Sequence, residues 1–186
     1  EMLRSLVGSE MCIRDRTDGV ENKKDIAALQ VIDSILGGGM SSRLFTGLRA
    51  EQGLAYQVGS SFAANVNQGV FALYIGTNPQ TALHSKNELL KQINILKKEF
   101  VSEKELQEAK DKILGSFILS QETNMEKAST LGWFETSGRG YLYIDEFPKL
   151  IQCVTPSDII RVTNKYFDNN YTFAIVAPQK YLEQFK

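Results

Sequence analysis

The sequence predicts an α+β fold in which a mostly antiparallel sheet carries helices on one face. Two apolar, strand-like runs follow each other at residues 55–77, with turn-forming residues at 65–69 between them. Residues 79–167 then show helical spacing and helix-start signals, and a last strand-like run, YTFAIVAP, begins at residue 171. Strands and helices that are segregated along the chain are typical of the α+β class.

Two helices are predicted before the strands. Residues 25–36 carry apolar side chains at helical spacing on one side, namely Ile26, Leu29, Ile32, Ile35 and Leu36. Gly37 is expected to end this helix in the left-handed conformation. The next helix is expected to begin at Ser41 or Ser42 as cap and to end before Gly53. Its inward side is expected to hold the apolar residues Met40, Leu44 and Leu48.

The strand-like runs predict a β-hairpin. The alternation in AYQVGSSFAANV places Tyr56, Val58, Ser60 and Phe62 on one face, whereas GVFALYIGT is apolar on both faces.

Later helix starts carry capping signals. Asn78 and Pro79 predict a cap and a first-turn proline before a long helix. The buried side of this helix is expected to hold Leu89, Ile93, Leu96 and Phe100. Helix-start patterns recur at three further places, which are Ser102 with Glu105, Thr123 with Glu126, and Thr155 with Pro156.

Composition excludes several classes of function. The 186 residues are 42% hydrophobic and 23% charged, with a net charge of -1, so no basic face predicts nucleic-acid binding. No apolar run approaches the roughly 18 residues of a membrane span. His84 is the only histidine, so this chain alone cannot build the usual His-rich zinc site. His84 is expected in solvent and Cys153 in the core.

Residues 1–16 are interpreted as a non-native segment, and residues 17–186 as the domain itself. SLVGSEMCIRDR resembles the in-frame translation of a transposon-based sequencing adapter, whose end ATG TGT ATA AGA GAC AGR encodes MCIRDR. A genuine basic N-terminal segment is the alternative, since the apolar core of a signal peptide is missing. The adapter interpretation implies a longer parent gene and predicts that deleting residues 1–16 leaves thermal stability unchanged.

The glycine run at 37–39 does not match a nucleotide-binding loop, because the lysine of the phosphate-binding motif and the third glycine of the dinucleotide motif are missing. A helix stop followed by a sharp turn is the simpler interpretation. Arg49 and Tyr56 flank the Gly53 corner and could face one pocket. Alternatively, Arg49 complements a helix C-terminus and Tyr56 simply favours a strand.

The stretch LGGGMSSRLFTGLRAEQGLAYQVGSSF resembles the C-terminal domain of the insulinase family of zinc peptidases, which includes pitrilysin and the mitochondrial processing peptidase. The likeness extends over about residues 17–178 and is weaker after Gln121. It implies that Arg49 holds a substrate carbonyl downstream of the scissile bond. It also implies that Tyr56 donates a hydrogen bond to the oxyanion formed when zinc-bound water attacks the peptide.

The resemblance further implies that zinc is ligated outside this chain, by a missing N-terminal domain with a His-x-x-Glu-His motif. The intact enzyme would hydrolyse peptides or unfolded segments, and a second subunit would complete it as a homodimer or heterodimer in the bacterial cytoplasm or periplasm. The isolated chain is expected to be inactive. The alternative is a non-catalytic scaffold or peptide-binding subunit of the same fold, like the core proteins of a respiratory complex.

Overall fold

The computed structural model describes residues 9–18, 22–64, 66, 68–168 and 171–185. Its strands are β1 (Ser9–Asp18), β2 (Ala55–Ala64), β3 (Gln68–Thr77) and β4 (Thr172–Val176). Its helices are α1 (Lys23–Gly37), a π-helix (Phe45–Glu51), α2 (Ala82–Lys98), α3 (Glu103–Leu119), α4 (Asn124–Thr136), α5 (Tyr143–Cys153), α6 (Pro156–Tyr166) and α7 (Gln179–Leu182), followed by a short 3₁₀ turn (Glu183–Phe185).

The α+β prediction is confirmed. The four strands pair antiparallel in the order β2-β3-β1-β4. Helices α1, α2 and α6 pack against one face of the sheet, here called the inner face, which carries Met11, Ile13, Leu73 and Ile75. Because side chains alternate along a strand, the residues between these point to the opposite, outer face.

Strand β1 occupies the middle of the sheet. Residues 9–16, which the sequence interpretation assigns to the non-native segment, form most of this strand. They pair with β3 on one side and with β4 on the other. The side chains of Met11 and Ile13 are 2% and 3% exposed and belong to the core. The origin of residues 1–16 stays a prediction, but residues 9–16 are built into the same sheet as the rest of the chain.

Helix α1 is the centre of the helical layer. Its predicted apolar side is confirmed, since Ile26, Leu29, Ile32, Ile35 and Leu36 are all buried. It contacts α3, α5 and α6 as well as β2. The glycine-rich turn that follows α1 therefore lies where the helical layer meets the sheet.

A buried carboxylate joins α1 to α6. Asp25 is 2% exposed. Its oxygens accept hydrogen bonds from Arg161 at 2.7 Å, from Lys165 at 2.9 Å and from the Tyr166 hydroxyl at 2.8 Å. Burial alone would raise the pKa of Asp25, but these hydrogen bonds outweigh it and lower that pKa. The charged form is therefore favoured by the fold.

Several element-level predictions need correction. Met40 and Phe100 are exposed rather than buried, because Met40 lies in the turn before the π-helix and Phe100 lies beyond the end of α2. Cys153 is exposed and not a core residue, since it ends α5 on the solvent side. Helix α2 begins at Ala82 rather than at Pro79.

Some of the capping predictions are confirmed and one is confirmed only in part. Thr123 forms a complete capping box with Glu126, and a box also opens α6. Ser102 accepts a hydrogen bond from the Glu105 backbone N–H at 3.2 Å, but no reciprocal bond closes this box. The Glu105 carboxylate instead accepts hydrogen bonds from Arg43, which follows the glycine run at 37–39.

Within the described ranges, none of the helices combines the length and the apolar character that crossing a bilayer requires.

Candidate functional site

The three glycines after α1 have different roles. Gly37 is the last residue of α1, and a side chain there would overlap the backbone of Ser60 in β2. Glycine is therefore required for close approach of helix and strand. The positive φ expected at Gly37 occurs instead at Gly39, with φ 131°. The helical residues begin directly after Ser42, but its hydroxyl donates to the Gly39 carbonyl at 2.6 Å and does not accept the predicted capping bond.

Arg43 fixes the segment that follows the turn. Its guanidinium forms two parallel hydrogen bonds with the Glu105 carboxylate, from Nε at 2.6 Å and from Nη2 at 2.7 Å. Bidentate pairs of this kind add geometric specificity as well as energy. The pair holds the start of the π-helix against α3.

Arg49 lies on the π-helix. The helix predicted from Ser41 or Ser42 is present, but Phe45–Glu51 has the wider π geometry, a rare form that is frequent at functional sites. Leu44 and Leu48 are fully buried. The Arg49 side chain is exposed, and its guanidinium lies 5.0 Å from the centre of the Phe45 ring. The guanidinium charge thus lies at the surface over an aromatic ring.

A tight corner joins the π-helix to β2. Gly53 has φ 61°, and the Leu54 N–H donates to the Leu48 carbonyl at 2.8 Å. The π-helix also packs against β2. Arg49 and Tyr56 therefore lie on two contacting elements, one on each side of the corner.

Tyr56 lies at a β-bulge. Ala55 pairs with Thr77 and Gln57 pairs with Gly76, so Tyr56 is an extra residue without a partner in β3. In a regular strand Tyr56 would share the inner face with Val58, as the sequence predicts. A bulge re-aims side chains, and Tyr56 instead turns to the outer face.

Gly76 makes room for this side chain. A side chain on Gly76 would overlap the Tyr56 ring, so the ring lies directly against the glycine. Gly59 has the same relation to Tyr74. The Tyr56 side chain remains 52% exposed. Sequence reasoning missed Gly76, although a glycine inside a strand is a signal for close approach of another group.

The Tyr56 hydroxyl is kept as a proton donor. Partial burial raises the pKa of Tyr56, and the Glu10 carboxylate raises it further through its charge and its hydrogen bond with the phenol. A shallow depression of about 280 Å³ lies beside this pair on the outer face, lined in part by Cys12, Tyr74 and Val176.

The other candidates do not add to this site. His84 is exposed on α2, as expected. Over the described part of the chain, no three His, Cys, Asp or Glu side chains come together in a way that could hold a metal ion. The side chains present here therefore do not suit a zinc centre.

Comparison with known proteins identifies the family. The model of the Peptidase M16 inactive domain matches residues 8–113. An uncharacterized zinc protease of Rickettsia felis is 35% identical over 163 residues, which are 84% of this chain and 38% of that protein. The Bacillus subtilis zinc protease YmxG is 29% identical over 150 residues, covering 81% of this chain and 37% of that protein. The chain thus spans less than two fifths of these relatives.

Solved structures share the fold. A protease from Helicobacter pylori has a TM-score of 0.83 at 24% identity, over 92% of this chain and 41% of that one. The peptidase M16 inactive domain from Pseudomonas fluorescens has a TM-score of 0.81 at 22% identity, over 92% of this chain and 42% of that one. Together with the sequence matches, these likenesses confirm the resemblance to the insulinase-type C-terminal domain, and the chain belongs to the Peptidase M16 inactive domain family.

Proposed function

We propose that this chain is the C-terminal domain of a zinc metalloendopeptidase that hydrolyses peptides or unfolded segments. In this proposal the chain supplies Arg49 and Tyr56 to an active site completed by another domain or subunit. The zinc proteases to which it is similar are longer proteins, which supports a missing metal-binding part.

The observation that carries the proposal is the bulge at Tyr56. A buried tyrosine would only pack, whereas this one is turned outward, half exposed and protonated. The phenol has one O–H, which bonds with the Glu10 carboxylate in this structure, so the proposal requires it to exchange that partner for an oxyanion that develops on a peptide carbonyl. One well-placed donor of this kind contributes about 3–4 kcal/mol to lowering the barrier.

Arg49 suits substrate alignment. Its guanidinium carries fixed N–H donors and stays charged. The Phe45 ring supports the side chain without neutralising it. An exposed, supported donor can hold a backbone carbonyl of an extended peptide downstream of the bond that is cut.

The metal belongs outside this chain in the proposal. Zinc supplies the activated water nucleophile in such peptidases. Since the side chains described here do not suit a zinc centre, an N-terminal domain of the same protein or a second subunit would hold it. A homodimer and a heterodimer both satisfy this requirement.

The test uses a full-length protease that contains both this domain and its zinc-binding part. Tyr56→Phe removes only the hydroxyl, so we expect kcat to fall by about 10²–10³ with KM little changed. Tyr74→Phe is the matched control, because Tyr74 lies on the same outer face against Gly59. An unchanged kcat in Tyr56→Phe would favour the non-catalytic scaffold or peptide-binding subunit instead.

A further inference from the structure

Three hydroxyl side chains, here called the hydroxyl cluster, meet beside the corner that joins the π-helix to β2. Thr77 ends β3, Thr81 is the residue before α2, and Ser85 lies near the start of α2. The Thr77 Oγ1 lies 3.0 Å from the Thr81 Oγ1 and 3.0 Å from the Ser85 Oγ. Thr77 is 1% exposed and Ser85 is 0% exposed. Buried polar groups are nearly always hydrogen-bonded, and these side chains bind one another.

The hydroxyl cluster ends on a backbone carbonyl of the corner. The Thr77 Oγ1 donates to the Leu54 carbonyl at 2.5 Å. A hydroxyl has one proton and a carbonyl only accepts, so the Thr77 proton is committed to Leu54. The Ser85 hydroxyl therefore donates to Thr77, which gives a directed chain of hydrogen bonds from Ser85 through Thr77 to Leu54. Hydrogen bonds in such a buried chain strengthen one another.

Leu54 is held on both of its sides. Its N–H donates to the Leu48 carbonyl of the π-helix at 2.8 Å, and its carbonyl accepts from Thr77. The two peptide groups that flank Leu54 are thus both fixed, directly before Ala55 and Tyr56. The bond from Thr77 therefore fixes the direction in which the chain enters β2.

Two consecutive residues of β3 frame the bulge at Tyr56. Thr77 pairs with Ala55 and Gly76 pairs with Gln57, so the bulge lies between these two pairings. Gly76 leaves the space that the Tyr56 ring occupies. That side chain is 52% exposed, so the space alone does not fix its direction. A bulge directs a side chain through the backbone, and the Thr77 hydroxyl holds that backbone two residues before Tyr56.

We propose that Thr77, supported by Ser85 of α2, is a positioning residue that directs the Tyr56 side chain to the outer face. Thr77 is buried and acts through the backbone of Leu54 and Ala55 rather than on the substrate. This inference rests on the proposed function, because it concerns how Tyr56 is held for its action on the oxyanion. Catalytic groups must be held closely to their productive geometry, so a small shift of the bulge lowers the rate.

Two conservative variants separate the hydroxyl of Thr77 from its methyl group. Thr77→Val keeps the shape and removes the hydroxyl, whereas Thr77→Ser keeps the hydroxyl and removes the methyl group. In a full-length protease that contains this domain and its zinc-binding part, we expect Thr77→Val to lower kcat by about 10–10² with KM little changed. Thr77→Ser is expected to keep kcat within about threefold of the wild-type value.

Thr163→Val is the matched control for the loss of a buried hydroxyl. Thr163 is 0% exposed and donates to the Ile159 carbonyl at 2.6 Å within α6 rather than at the corner. Its replacement is expected to leave kcat near the wild-type value.

A double variant tests whether Thr77 acts through Tyr56. Tyr56→Phe already removes the donor that Thr77 directs, so adding Thr77→Val to it is expected to change kcat by less than about twofold. If Thr77 only stabilised the domain, Thr77→Val would lower kcat by the same factor in both backgrounds.

Hydrogen exchange in the 186-residue chain gives a measurement that does not depend on activity. We expect Thr77→Val to accelerate exchange of the Leu54 amide by about tenfold relative to the amides of α1. Thr163→Val is expected to leave the Leu54 rate unchanged. Ser85→Ala removes only the donor to Thr77, so it is expected to change both kcat and the Leu54 rate in the same direction as Thr77→Val, by smaller factors.

The role of Thr77 is overturned by wild-type kcat in Thr77→Val, by equal losses in Thr77→Val and Thr77→Ser, or by an unchanged Leu54 exchange rate. If Thr77→Val does not fold, wild-type behaviour of Ser85→Ala in both measurements overturns it. An unchanged kcat in Tyr56→Phe would instead contradict the proposed function, and the Leu54 exchange rate would then decide whether Thr77 holds the corner.

Discussion

At the scale of single residues, the proposed role of Tyr56 depends on one inserted residue in strand β2. Alternation along β2 predicts that Tyr56 shares a face with Val58, and the structure places Val58 on the inner face. The bulge reverses this, and Gly76 leaves the space that the ring occupies. Through the resemblance the sequence selects Arg49 and Tyr56 as candidate site residues, but it does not predict which way Tyr56 points. The direction of the Tyr56 side chain depends on the register between β2 and β3, and the alternation of residues within β2 carries no information about that register.

A glycine pair on the outer face tests this geometry. In the full-length protease, Gly76→Ala is expected to push the Tyr56 ring away and to lower kcat, while Gly59→Ala pushes Tyr74 and leaves kcat near the wild-type value. Both variants place a methyl group under an aromatic ring, so their effects on melting temperature are expected to be similar. Equal kcat values in the two variants would contradict a positioning role for Gly76.

At the scale of elements, tertiary packing determines the secondary structure of segments whose local sequence pattern gives no signal or the wrong one. Helix α1, the hairpin and the helices capped by Ser102, Thr123 and Thr155 follow from periodicity and capping, and the structure confirms them. Helix α5 was not predicted, because Pro148 lies inside it and proline removes a helical N–H. Burial of Tyr143, Phe147 and Ile151 overrides that cost. The π geometry of Phe45–Glu51 also has no sequence signal that the apolar spacing could reveal.

Strand β1 gives a prediction at this scale. Ile13 is 3% exposed in the middle of the sheet, so Ile13→Ala is expected to cost about 2–5 kcal/mol in the free energy of unfolding. Val176→Ala is the control. Val176 lies on the neighbouring strand but is 75% exposed, and its change is expected to stay within about 0.5 kcal/mol. Denaturant unfolding of the 186-residue chain measures both.

The position of β1 in the sheet also bears on the sequence-based expectation that residues 1–16 do not contribute to thermal stability. If residues 1–16 were irrelevant to the fold, deleting them would leave the melting temperature unchanged. The structure leads to the opposite result, because the deletion removes most of the strand that joins β3 to β4, so that β3 keeps only its pairing with β2. An unchanged melting temperature would show that this strand does not contribute to stability.

The contact between α1 and α6 predicts that the free energy of unfolding depends on pH. Hydrogen bonds lower the pKa of Asp25 in the folded state, so its stabilisation is present above the unfolded-state pKa and is lost as pH falls through the folded-state pKa. Asp25→Asn is expected to cost about 2–3 kcal/mol near pH 7 and progressively less in acid. Asp145→Asn, at an exposed position of α5, is the control. A cost that does not depend on pH would exclude the charge as its cause.

At the scale of the whole molecule, the proposal gives this chain only part of the active site, and another domain or subunit supplies the rest. It spans less than two fifths of its curated relatives. The fold could be predicted from the sequence because the resemblance and the periodic patterns agree. The candidate site could be predicted only in part, since a zinc centre and a substrate path would be completed by residues outside this chain.

The central claim is that Tyr56 acts on the transition state of peptide hydrolysis. The most direct measurement is the inhibition constant of a peptide phosphinate, a tetrahedral anionic mimic, in the full-length protease and its Tyr56→Phe variant. A transition-state contact predicts that the variant weakens the phosphinate by the same factor by which it lowers kcat/KM. Contacts of the phosphinate with the metal are common to both proteins and cancel. An unchanged inhibition constant would contradict the claim.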